Sequence, residues 1–200
     1  VGSILINTLS NIFPLNGVSV GNLSNTLFAS VQIIPANYAF AIWGLIYIGL
    51  IAFGIYQLQP TQRENPRLQH SGYLLAERVS RQERWFIHLP ISVYLGWISV
   101  ATIVNVAIGL YSLKWDGGGI TPSIWTVVMM TIASIIAAVI SIQRHDTAYV
   151  LVIVWALVAI SIRQANVPLI MVTGWVLAIV LMGLNLVNEL KALSKITTNN

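Results

Sequence analysis

Charge is the first thing this sequence has little of. Only 8% of its 200 residues are Asp, Glu, Lys or Arg, against about 25% in a soluble domain. None occurs from Val1 to Gln62, and further uncharged runs cover Trp85–Leu113, Gly117–Gln143, Thr147–Ile162 and Gln164–Asn188. Cysteine is absent, which excludes disulfides, thiolate metal sites and thiol redox chemistry and leaves the compartment open. The six carboxylates fall in loops or at the end of the last apolar run. General acid–base chemistry therefore has no paired groups at membrane depth, and the chain reads as no enzyme. His70, His88 and His145 stand apart, without metal-ligand spacing, so no metal site is expected. His88, opening a span beside Pro90, has the depth of an axial ligand to a haem or chlorophyll, set against a plainer role as an interfacial hydrogen-bonding residue. The Gly117–Gly119 run lacks the Lys-Ser/Thr of a phosphate loop and reads as a turn.

What is present is apolar, at 56% of residues. A helix crosses the hydrocarbon with about 20 apolar residues, and inside lipid every backbone N–H must be paired within the chain. The alternation of a membrane barrel is missing. The chain is therefore expected to be all-α, an integral, multi-pass membrane bundle with about five full spans, near 36–57, 86–112, 122–142, 147–163 and 167–190. Val1–Phe13 is too short to cross and reads as the end of a partial N-terminal helix, followed by a polar loop or re-entrant turn over Asn11–Asn25. Alternating sides places Arg63, Arg67, Arg78, Arg81, Arg84, Arg144, Lys191 and Lys195 together, with Lys114 and Arg163 opposite. That bias marks the 58–84 face as cytoplasmic, or stromal, and points to anionic membrane lipids as partners. Nucleic acid is not expected, because the basic residues lie on no soluble fold and are not interleaved with aromatics.

The aromatics carry the most information. Trp85, Trp115 and Trp125 stand at span ends, where membrane interfaces recruit Trp. Trp43, Trp97, Trp155 and Trp175 stand inside spans, where an indole N–H needs a partner. Phe40, Trp43 and Tyr47 share one helical face, and so do Tyr94, Trp97, Ala101 and Asn105. Two ends are served by such faces: ordinary interhelical packing with Asn105 as a polar tie, or the lining of a flat pocket with hydrogen-bond donors. Ala133/Ala137 and Ser134/Ala138 add a small-residue stripe suited to close helix contact, internal or external.

The stretch from Tyr94-Leu-Gly-Trp97 to Ala101-Thr102 and Asn105 resembles the last helix of the TspO/MBR family, the tryptophan-rich sensory or translocator proteins. Its pattern there is approximately P-Y-L-x-W-x-x-F-A-T-x-L-N. Phe40, Trp43 and Tyr47 are similar to the family's second-helix W-x-x-L-Y signature. Together the matches cover roughly a third of the chain, and there are departures. Ile91, Ser92 and Val93 displace Pro90 from Tyr94, and Pro35-Ala36-Asn37-Tyr38 stands where the family has Pro-Pro-x-Trp. The family also has two more helices between the motifs. Here the apolar start Gly72–Ala76 stops at Glu77, so a discontinuity at Ala76–Glu77 is expected, marking a long, divergent or incompletely represented member.

The resemblance implies binding or transport of a tetrapyrrole (a porphyrin, haem or chlorophyll-type ring) or of a sterol-like lipid. No cofactor is required. Phe40, Trp43, Tyr47, Tyr94, Trp97, Ala101 and Asn105 are the implied ligand-binding residues. The loose cholesterol pattern of Val106, Tyr111 and Lys114 stands against an interfacial Tyr–Lys pair. Residues 1–112 are expected to form the TspO-like region and residues 113–200 to add C-terminal membrane helices. The implied setting is a bacterial plasma membrane or a thylakoid-type membrane. A second function fits the same letters: a structural subunit, pigment-associated or not, of a homodimer or larger membrane complex.

Overall fold

In the computed structural model, which describes residues 28, 30–59 and 81–198, the chain is all-α, with no strand among the described residues. Five helices of membrane scale follow in order: α1, Asn37–Leu58; α2, Arg81–Ser112; α3, Pro122–Arg144; α4, Thr147–Arg163; and α5, Pro168–Thr198. Four are long and apolar enough to cross a bilayer, α5 through Pro168–Lys191, while α4 has 17 residues. The five expected spans fall on these helices. The partial N-terminal helix, the 11–25 turn, Arg63, Arg67, Arg78 and the Ala76–Glu77 discontinuity lie outside the described residues.

Local chemistry sets the ends. The hydroxyl of Thr121 accepts from the Ile124 N–H at 3.5 Å, and Pro122 occupies the first turn of α3, where its missing N–H costs nothing. Asp146 caps α4 by accepting from the Tyr149 N–H at 3.1 Å. His145, between α3 and α4, takes the left-handed conformation at φ 51° and stops α3. Between α2 and α3 the Gly117–Gly119 run is a turn with φ of 75°, 61° and 78°. There Asp116 accepts from the Gly118 N–H, and the Trp125 indole donates to the Gly117 carbonyl, both at 2.9 Å. Within α2 a π-helical turn, Arg84–His88, precedes Pro90, whose ring and missing N–H disturb the ladder one turn upstream.

The shortest helix is the central one. α4 packs against α2, α3, α5 and the start of α1, and more than half of its residues are buried, from Tyr149 to Ser161. Small residues set the approach distances. A Cβ on Gly174 of α5 would collide with Ser161 Oγ and lie 3.1 Å from the Leu157 carbonyl oxygen of α4. One on Gly96 of α2 would lie 2.9 Å from Val152 Cβ. Without a hydrophobic force between helices in lipid, such close van der Waals contact holds them together. The small-residue stripe of α3 turns inward: Ser134 and Ala137 are buried, and Ala133 and Ala138 are half-buried. A single core runs from Ile42 and Trp97 to Met130, Ile153 and Leu181. It crosses the 112/113 boundary that the motifs suggest.

Polar ties close both ends. At one end Ser92 donates to Asp146 at 2.6 Å and Thr147 to Glu189 at 2.8 Å. Asn188 donates to Ser141 at 3.1 Å, and Ser141 donates to Asn185 at 3.3 Å. At the other end the buried segment Val31–Pro35 is laid over the C-terminus of α4. There the Ala36 N–H donates to the Ala159 carbonyl at 3.1 Å, Gln164 to the Gln32 carbonyl at 3.0 Å and Arg163 to the Pro35 carbonyl at 3.4 Å. The guanidinium of Arg163 thus donates to a backbone oxygen.

Tyr56, near the end of α1, stacks on Phe86 with centroids 5.4 Å apart. With the Ser92–Asp146 and Thr147–Glu189 bonds, this gathers Arg81, Arg84, Arg144 and Lys191 at one end of the bundle, with Lys114 and Arg163 at the other. Because the chain lacks cysteine, sidedness is directly measurable. Single cysteines at Arg84 and Gln143 should react with an impermeant maleimide from one side of a sealed vesicle, and a cysteine at Leu113 from the other. Labelling of all three from the same side would refute this topology.

Candidate functional site

The two aromatic faces meet. α1 and α2 are antiparallel neighbours, and Phe40 and Trp43 of α1 come against Trp97 of α2, with Tyr47 stacked on Trp43. The Phe40 and Trp97 rings stand edge to face at 5.8 Å and 90°, and Trp43 and Trp97 at 6.5 Å and 88°. Trp43 and Tyr47, one turn apart, stack at 5.7 Å and 26°. These are the favoured arrangements of ring quadrupoles. Trp97 is only 1% exposed and Trp43 half-buried. Two buried polar atoms in this cluster, Trp97 Nε1 and Tyr47 Oη, have no hydrogen-bond partner. Buried donors are normally paired, and each one left unmade costs about 1–3 kcal/mol.

Of the other residues of the expected site, Tyr94 lies near Tyr47, while Ala101 and Asn105 are not brought into the cluster. Tyr94 is 36% exposed, Ala101 is half-buried and Asn105 is exposed. The reason is length along the axis. Trp97 already faces the first turns of α1, and Asn105, eight residues further on, lies about 12 Å beyond, past the beginning of that helix. His88 is half-buried at the end of the π-helical turn. Among the described residues no group of three His, Asp or Glu side chains is placed to hold a metal. Trp155 and Trp175 are 39% and 42% exposed, on the outer surface, and the Trp155 indole donates to the Ala39 carbonyl at 3.3 Å. Val106, Tyr111 and Lys114 are all exposed.

A second feature escaped the sequence reading. Nearer the basic end, the surfaces of α1 and α2 form a groove of about 480 Å³ lined by Leu45, Ile48, Gly49, Ala52, Arg81, Gln82, Trp85, Phe86, Leu89, Pro90 and Val93. The signal was Gly49 and Ala52, small residues three apart in an otherwise bulky span, opposite a proline. An apolar gap of about 20 Å³ between α2, α3 and α4, lined by Val100, Met130 and Ile153 among others, is a packing void with room for no more than a water.

The sequence pattern of the TSPO-like protein family matches residues 1–77 and, in a second segment, residues 73–187. Together the segments take in α1 to α4 and most of α5. They meet at residues 73–77, where the apolar run beginning at Gly72 breaks off. No curated protein and no solved structure matches the chain. The family pattern covers far more than half of the sequence. The chain therefore belongs to the TSPO-like protein family.

Proposed function

We propose that the protein is a non-catalytic membrane receptor or carrier for a flat, lipophilic ligand, a tetrapyrrole or related ring, taken up between α1 and α2. The carrying observation is the pair of unpartnered donors, Trp97 Nε1 and Tyr47 Oη, within a nest of four aromatic rings. A ring ligand stacks on such walls, and a carbonyl or carboxylate on its edge supplies the acceptor that both donors lack. A tetrapyrrole has both features. The rings now pack on one another, so entry requires Trp43, the half-buried member, to swing aside. The competing reading, a structural subunit of a larger complex, drew on the small-residue stripe of α3. That stripe is used inside the bundle.

Protoporphyrin titration into the detergent-solubilised full chain should quench tryptophan fluorescence. Trp97→Phe and Tyr47→Phe each remove a donor that bonds to nothing in the free protein. Each should leave thermal stability nearly unchanged while weakening binding about fivefold, the worth of one hydrogen bond of about 1 kcal/mol. No quenching in the wild type, or wild-type affinity in both variants, refutes the proposal.

A further inference from the structure

The groove between α1 and α2 shares no residue with the aromatic cluster, and it has a chemistry of its own. Its walls, among them Leu45, Ile48 and Leu89, are large apolar side chains 60%, 69% and 36% exposed. Its floor is low because Gly49 abuts Pro90, with room for a Cβ only 3.0 Å from the proline ring, and because Ala52 is small. Polar side chains line it at one end alone, where Arg81 and Gln82 stand exposed beside Trp85. That end carries Arg84, Arg144 and Lys191 against Glu83, Asp146 and Glu189, so with Arg81 the balance is slightly positive, and Arg81, exposed at the mouth of the groove, is the group that favours an anion. Nothing along the groove satisfies a ligand with polar groups spread over its length. A saturated chain with one negative end fits throughout, and the volume is within the usual range for a ligand site.

We propose that this groove binds an anionic phospholipid from the leaflet on the basic side, with an acyl chain laid over Gly49 and Ala52 and the phosphate paired with Arg81. Such a lipid makes anionic membrane composition an input to the α1–α2 pair, independently of any ring ligand.

The test uses the full chain in phosphatidylcholine vesicles doped with phosphatidylglycerol or phosphatidylcholine carrying brominated acyl chains. Bromine quenches nearby tryptophan, and Trp85 lines the groove. Brominated phosphatidylglycerol should quench at lower mole fraction than brominated phosphatidylcholine, and the difference should vanish in Trp85→Phe. Arg81→Gln should reduce the preference about fivefold, the effect of one basic residue at an anionic surface, while Arg81→Lys retains most of it. Ala52→Phe should fill the groove and weaken quenching of Trp85 by either lipid. Equal quenching by the two lipids overturns the proposal, as does an undiminished preference in Arg81→Gln. So does quenching that is indifferent to Ala52→Phe, which is the result expected if protein rather than lipid covers the groove. The porphyrin test turns on Trp97 and Tyr47 and this one on Trp85, Arg81 and Ala52, so either proposal can fail alone.

Discussion

Trp97→Ala should destabilise the protein by on the order of 3 kcal/mol, the low end of the range for deleting a large buried aromatic. Trp97 is 1% exposed and meets both Phe40 and Trp43 edge to face. Those contacts are the main aromatic link between α1 and α2. In lipid the loss is one of van der Waals contact, because hydrocarbon surrounds the helices before and after association. The measurement is thermal unfolding in detergent at fixed micelle composition. Trp97→Phe is the informative partner: it keeps most of the ring contact and removes an N–H that nothing accepts, so its loss should be a small fraction of that of alanine. If phenylalanine and alanine destabilise equally, the indole N–H is bonded in the native protein and the unpartnered donor is not real.

Gly174→Leu should disrupt the bundle more widely, since α5 rests on α4 at this point. Even the Cβ of alanine collides with Ser161 Oγ, 2.8 Å from Met130 Cε and 3.1 Å from the Leu157 carbonyl oxygen. The methionine can move, but the backbone carbonyl cannot. Gly174→Ala should therefore cost about 2 kcal/mol, within the range for overpacked cores, despite the better helix propensity of alanine. Leucine should go beyond this and separate α5 from α4. Gly174→Ala combined with Ser161→Ala should recover part of the loss, because the clashing hydroxyl is gone, and a double-mutant cycle in the same unfolding assay measures that coupling. Strict additivity of the two changes would show that the helices do not meet at this pair.

The spans were legible because their signal is compositional. Uncharged runs long enough to cross a bilayer show up in any register, and charged residues or turn formers such as Asp116, Gly117 and Asp146 bound them. The faces that bring Phe40 and Trp43 against Trp97 were legible as well, since helical periodicity fixes which residues share a face. Which helix occupies the centre was not. In water a buried face is more apolar than an exposed one, but the lipid-facing side of a span is as apolar as its core. Leu151, Trp155 and Ile162, exposed on α4, look no different from Val150, Ile153 and Leu157, buried on it. Asn105 shows the complementary limit. Periodicity put it on the face of Trp97, but Trp97 is buried and Asn105 exposed, because where α1 begins relative to Trp97 is a matter of tertiary register. The ties through Asn185 and Asn188 had a faint signal, two amides three residues apart in an apolar span, without an indication of their partners on α3 and α4.

The shortness of α4 has a consequence for the membranes in which the protein can work. Seventeen residues make a rod of about 26 Å, less than the roughly 30 Å hydrocarbon thickness of a typical bilayer. A helix that short, bathed in lipid, would pinch the bilayer around it or lean on its neighbours to cover the difference. Here α2, α3 and α5 surround it, and the buried Val31–Pro35 segment caps its end with protein where water or headgroups would otherwise reach. The shortfall meets lipid only along the narrow outward stripe of Leu151, Trp155 and Ile162. Over the rest of its surface the bundle meets the host membrane through longer helices, and they can answer its thickness by tilting about a core whose own length is matched to protein.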